Sequence, residues 1–254
     1  MNDVPNANDD RRLPQPQAPS VQTYARIAGV LFLLSIVAGG FGEFYVPSQL
    51  FVSGDAGATA KNITAFSSLF RMSFASYLVE AVCDIALAWI FYVLLRPVRK
   101  DLALLAAFFG LVSTATFAIA ELFYFAASFI LGGADYLKTF SPDQVSSLAM
   151  LSLKFYGYGG GVFMVFYGVA CVLRGYLIFQ SEYLPKVLGA LLALAGLGFV
   201  IRNFALVLAP PYASDVLLLP MFLAGVSLTA WLLVKGVDIP KWEAKAAAFA
   251  DNRT

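Results

Sequence analysis

Long apolar runs alternate with short polar breaks along the chain. Six runs reach spanning length, at about 25–46, 71–95, 102–131, 151–178, 187–208 and 215–235. Each meets the roughly 20 residues that an α-helix needs to cross a hydrocarbon core of ~30 Å. Inside a bilayer the backbone must satisfy its own polar groups, which favours helices for runs of this length. The pattern predicts an all-α polytopic membrane protein, a six-transmembrane-helix bundle over residues 23–237. Residues 1–22 are rich in Asn, Asp, Pro and Gln and read as a disordered polar tail. In residues 238–254, Pro240 starts an Ala-rich stretch with Trp242, Ala246 and Phe249 on one face. That tail fits a frayed end or a short interfacial helix.

The polar breaks carry their own signals. Ser141-Pro142-Asp143-Gln144 offers Ser at N-cap, Pro at N1 and Gln at N3, so the fourth helix is expected to start outside the bilayer and run in. The weakly amphipathic run from Ala60 to Phe70 reads as a short helix on the outer surface. Lys and Arg set the orientation. Twelve fall on the N-terminal side, among them Arg96, Arg99, Lys100, Arg174, Lys186 and Lys235, against Lys61, Arg71, Lys138, Lys154 and Arg202 on the other. Basic residues favour the cytoplasmic face, so both termini and both tails are expected there.

Composition sharpens this picture and removes several functions. The chain is 60% hydrophobic and 13% charged, with mean hydropathy +0.76, whereas soluble domains carry about 25% charge. The expected partner is therefore the lipid bilayer. Net charge is +1 without a basic stripe, which gives no footprint for nucleic acid. There is no histidine, the commonest metal ligand and general base. Cys83 and Cys171 lie in apolar runs and form no C-x-x-C pair, so they read as small buried hydrophobes. No metal or cofactor is expected.

The unusual chemistry lies inside the apolar runs. Glu80 and Asp84 are four apart in the second run and share a helix face. An ionisable group at bilayer depth costs roughly 2.5–3.5 kcal/mol, so this face must look into protein. Glu121 stands in the third run, Glu43 near the end of the first, Lys154 in the fourth and Arg202-Asn203 in the fifth. Arg71 lies on the opposite side of its helix from Glu80 and reads as an interfacial snorkel. Lys154, Gly161, Gly168 and Gly175 repeat every seven residues, which predicts that the lysine points into the bundle with the glycine seam. The expectation is a binding cluster of Glu43, Glu80, Asp84, Glu121, Lys154, Arg202 and Asn203, whose four acids are nearly neutralised when Arg71 is counted with Lys154 and Arg202, with no catalytic residue assigned. Two carboxyls as close as Glu80 and Asp84 do not both ionise easily, which suits a proton carrier, a cation ligand or an acid/base pair.

Several runs also carry a family resemblance. They are ARIAGVLFLLSIVAGGFGEFYVP from Ala25, CDIALAWIFYVLLRPV from Cys83, LALLAAFF from Leu102, GADYLKTFSPDQ from Gly133, GYLIFQSEYLPKVLG from Gly175 and SLTAWLLVKGV ending at Val237. Together they resemble the bacterial integral-membrane family of domain of unknown function 4386 (DUF4386). The resemblance implies a six-helix, multi-pass protein of the bacterial inner membrane, with no established activity, substrate or cofactor. Relatives often carry an acid before the SLTxWLL run, where this chain has Val226. Any role of that acid is missing here or taken over by another residue such as Asp84.

Three functions fit these residues. The first is small-solute or proton-linked transport or binding through an outward-facing polar cavity. Six spans is small for a secondary transporter, so this reading calls for a homodimer. The second is a structural or accessory membrane protein whose buried ion pairs only fix helix register. The third, and least supported, is an intramembrane acid/base enzyme, since the chain has neither G-x-S-x-G nor H-E-x-x-H.

Overall fold

The computed structural model describes residues 20–251. Most of the N-terminal tail, with Arg11 and Arg12, lies outside the described residues, as does Arg253. Helix α1 spans Val21–Leu50, with Ser20 capping its first turn by accepting the Thr23 N–H. Helices α3 (Ser67–Leu95), α4 (Lys100–Ile130), α5 (Pro142–Ser181), α6 (Lys186–Leu208) and α7 (Leu219–Val234) follow, with α2 (Ala56–Ala65) between α1 and α3 and α8 (Ile239–Asp251) at the end. Among the described residues there is no strand, and six helices are long and apolar enough to cross a membrane.

Local chemistry explains the boundaries. Ser141 and Gln144 form the expected capping box, and α5 then runs unbroken for 40 residues. At 1.5 Å per residue that is about 60 Å, twice a hydrocarbon core, so α5 projects well beyond the others. The surface helix is shifted from its expected place. Asp55 accepts the Ala58 N–H at 2.8 Å and starts α2 at Ala56, and Phe66 leaves helical geometry. Ser67 to Phe70 therefore belong to the spanning helix α3 and not to the surface helix. The turn after α5 places Glu182 at φ 66°, and Gly236 at φ 70° ends α7. Asp238 then caps α8, accepting the Lys241 N–H at 3.3 Å and pairing with its ammonium at 3.1 Å. The Lys241 contacts hold the Asp238 carboxyl below its usual range.

The six long helices close into a ring: α1 packs on α3, α3 on α4, α4 on α5, α5 on α6, α6 on α7, and α7 back on α1. An even number of crossings brings the first and last described helices to one end. Gln22 there donates to the Lys235 carbonyl at 2.8 Å and accepts the Val237 N–H at 3.0 Å. We refer to this as the terminal end, and to the other, carrying α2 and the start of α5, as the loop end. The α8 segment is a helix, and its Trp242 indole donates to the Leu94 carbonyl at 3.0 Å, tying it to the bundle.

Apolar packing splits into two cores along the axis. The terminal half holds Phe32, Phe91, Leu94, Tyr183, Leu228 and Leu232. The loop half is richer in aromatics, with Phe70, Tyr77, Phe117, Tyr124 and Tyr156. Glu80 and Asp84 follow Tyr77 along α3, between the aromatic core and Phe91.

Candidate functional site: an acid and tyrosine cluster in the bundle

Helix α3 carries Tyr77, Glu80 and Asp84 at spacings of three and four, hence on one face. That face meets α1 in antiparallel register. Gly42 lies against Tyr77, Gly39 against Glu80, and Ser35 against Asp84. The glycines are what allow the approach. A Cβ on Gly39 would stand 3.0 Å from Glu80 Oε2, and one on Gly42 would stand 2.5 Å from the Tyr77 ring. Ser35 Oγ sits 3.5 Å from Asp84 Oδ1, a long contact at the edge of hydrogen-bond range.

The register passes through an irregular turn. Phe41–Tyr45 is π-helical, with the Val46 N–H reaching back to the Phe41 carbonyl. Single π turns interrupt α-helices chiefly at functional sites. Here the turn carries Glu43, and the neighbouring Gly42 carbonyl accepts the Tyr77 hydroxyl at 2.7 Å. The Tyr156 hydroxyl of α5 donates to Glu43 Oε1 and lies 3.0 Å from the Tyr77 hydroxyl. One chain of hydrogen bonds thus joins α1, α3 and α5. Glu43 is exposed at the bundle surface while its carboxyl turns to Tyr156, so the cluster reaches the outside there.

Glu121 of α4 is the most enclosed acid. It is 2% exposed, and neither carboxylate oxygen has a hydrogen-bond partner among the described residues. It interacts through charge with Glu43 and with Glu80, whose Oε2 is also buried without a hydrogen-bond partner among the described residues. Tyr124 is one helical turn away on α4, stacked on Phe70 with centroids 4.3 Å apart. The cluster is therefore rich in acids and phenols. Burying a carboxylate with no hydrogen bond or counter-charge is costly, which makes Glu121 the unusual member.

The expected cations are elsewhere. Lys154 is exposed, contrary to the heptad argument. Gly175 meets Gly189 and Ala193, Gly168 meets Gly196, and Gly161 meets Asn203, so each step of seven down α5 is a step of seven up α6. The next step would set Lys154 opposite Pro210, past the end of α6 at Leu208, where the α-helix has given way to the short 3-10 turn Pro210–Tyr212. Arg202 also turns away from the acids. It pairs with Asp215 at 2.9 Å and donates to Asn203 Oδ1 at 3.2 Å. Asn203 is buried, but its amide serves the Phe199 carbonyl at 2.8 Å. Arg71 is exposed.

The cation that does enter is Arg174, which the charge pattern assigns to the cytoplasmic side. It is 4% exposed, its Nε has no hydrogen-bond partner among the described residues, and its guanidinium stands 5.5 Å from the Phe91 ring centroid. It interacts through charge with Asp84, and no ion pair links the two among the described residues. The sequence did hold a signal for it. Arg174 shares a face with Tyr167 and Cys171, and the apolar turn Tyr176-Leu177-Ile178-Phe179 continues α5 beyond it. Tyr77, Tyr156 and Ser35 also join the site, and each is visible only once α1, α3 and α5 are brought together.

Comparison with known proteins gives a family without supplying a reaction. No solved structure matches the chain. An uncharacterized protein of the archaeon Archaeoglobus fulgidus is 30% identical over 156 residues, covering 61% of this chain and 78% of that protein. The resemblance is therefore not confined to bacteria. The profile described as Domain of unknown function (DUF4386) matches residues 27–236, from the first turns of α1 to the end of α7, and the chain belongs to that family.

Proposed function

We propose that the chain is a multi-pass membrane protein that binds a proton at Glu121 and exchanges it with the loop side, in proton-linked transport or binding of a small solute. The observation that carries this reading is the enclosed Glu121 carboxyl, without a hydrogen-bond partner among the described residues and beside two further acids. Among the described residues Arg174 interacts through charge with Asp84, which leaves Glu121 beside Glu43 and Glu80 without a counter-charge, and a proton on Glu121 removes a charge that a low-dielectric interior does not otherwise tolerate. Tyr156 and Tyr77 supply hydroxyls next to Glu43, which reaches the surface and offers the way in.

In this reading the terminal end is cytoplasmic, in the inner membrane of a bacterium. Removing the buried Arg174 from the twelve inner basic residues leaves eleven against five, so the bias of the positive-inside rule survives the correction.

Infrared spectroscopy of the full chain in lipid vesicles tests the proposal. The wild type should show the C=O stretch of a protonated carboxyl, lost as pH rises and absent in Glu121→Gln. Identical spectra for the two proteins would sink it. The hydrogen-bond chain linking α1, α3 and α5 favours a second reading, a structural lock. A carboxyl band that neither titrates nor shifts in heavy water would establish that reading instead.

A further inference from the structure

Arg174 has no role in the exchange of a proton at Glu121, yet it is the most enclosed charged group on the terminal side of the acids. Its depth follows from its neighbours. A Cβ on Gly110 would lie 2.5 Å from Arg174 Nη2 and 3.5 Å from Ala88 Cβ, and the guanidinium faces Phe91. Ala88 and Phe91 are four and seven residues beyond Asp84 on α3, about 6–10 Å nearer the terminal end. Along the axis the order is therefore Glu43 with Tyr77, then Glu80, then Asp84, then Arg174. Beyond it the buried core side chains Phe91, Leu94, Leu177 and Ile178 are apolar.

We propose that Arg174 is the positive barrier that closes the proton path on the terminal side of Asp84. This rests on the proton-exchange reading above and adds its direction: protons that enter at Glu43 reach Asp84 and stop. A fixed guanidinium in a narrow, poorly solvated passage repels hydronium, as arginines do in channels that exclude protons. The site is built to hold the charge in place. Gly110 leaves room for the guanidinium on α4, Phe91 offers a ring face on α3, and Asp84 offers an opposite charge just above. Tyr167 and Cys171 on α5 also interact with Arg174 through charge, and Glu80 on α3 reaches Tyr167. None of them is a second cation, so removing Arg174 leaves Asp84 without a positive neighbour among the described residues.

Proton leak into vesicles containing the full chain and a trapped pH-sensitive dye measures the barrier. A potassium gradient with valinomycin drives the flux. Wild-type vesicles should stay tight, and Arg174→Gln should leak about tenfold faster or more, the scale set by removing a unit charge from a low-dielectric path. Arg174→Lys keeps the charge and should restore tightness, which a purely structural role does not predict. Gly110→Ala favours helix while its methyl displaces the guanidinium, so it should leak at an intermediate rate. If Arg174→Gln does not fold, Gly110→Ala decides. Gln and Ala variants as tight as the wild type, or a Lys variant as leaky as Gln, overturn the barrier. An infrared band intact at Glu121 alongside that result would leave the proton site standing and remove only its closure.

Discussion

Tyr156 brings one hydroxyl to two partners on different helices, the Glu43 carboxyl and the Tyr77 hydroxyl. Removing it leaves a buried or half-buried acceptor without its donor, which costs about 1–3 kcal/mol. Tyr156→Phe should therefore lower the unfolding temperature of the detergent-solubilised protein. Tyr158→Phe, at an exposed position two residues on, should change stability by no more than about 0.5 kcal/mol. Equal effects would mean that the Glu43 contact is not made in solution. Single residues also show where the sequence could be read. Glu80, Asp84 and Glu121 stand out because acids in apolar runs are rare and must face protein. Tyr77 and Tyr156 do not, because an aromatic in such a run is ordinary core, and only the pairing of α1 with α3 and α5 gives their hydroxyls a partner.

At the scale of elements, glycine decides how closely α5 and α6 approach. A Cβ on Gly175 would stand 2.5 Å from the Ala193 backbone nitrogen, and one on Gly168 would stand 2.7 Å from the Gly196 carbonyl. Backbone cannot yield as a side chain does, so Gly175→Ala should destabilise the protein by about 1–3 kcal/mol. Gly160 faces open space on the same helix, and Gly160→Ala should be neutral or stabilise by up to ~1 kcal/mol through helix propensity. Thermal unfolding of the two variants separates them, and a Gly175→Ala protein as stable as Gly160→Ala would remove the seam from the account. The seam itself was legible as a seven-residue repeat. The mistake was to extend it to Lys154, because a repeat on one helix says nothing about where its partner ends. Arg174 was misplaced for the complementary reason. Sequence patterning alone ended the fourth span near residue 178 and counted Arg174 with the basic residues of the cytoplasmic side. The helix instead continues to Ser181, with Arg174 turned onto the face toward Phe91 and Gly110.

For the whole molecule, six spanning helices followed from run length, since a spanning helix satisfies its own backbone wherever it sits, whereas the closing of the ring by α7 on α1 is visible only in the packing. Orientation rests on charge, and the ring gives that charge a place. Arg96, Arg99 and Lys100 lie in the tight connection from α3 to α4, Lys186 opens α6, and Lys235 follows α7, all at the terminal end beside Gln22 and α8. Lys61 and Lys138 lie at the loop end, and Lys138 is paired with Asp135 at 2.6 Å, which offsets its charge. The terminal end therefore carries most of the basic charge that is not buried. Reporter fusions after Lys100, Glu182 and Trp242 should read cytoplasmic, and fusions near Asp55 and Tyr136 should read outside. A cytoplasmic signal near Tyr136 would break the six-crossing order, because the α4–α5 connection lies on the opposite side of every inner fusion. The reverse pattern throughout would keep the ring but invert it, placing the entry at Glu43 on the cytoplasmic side and the Arg174 barrier toward the exterior.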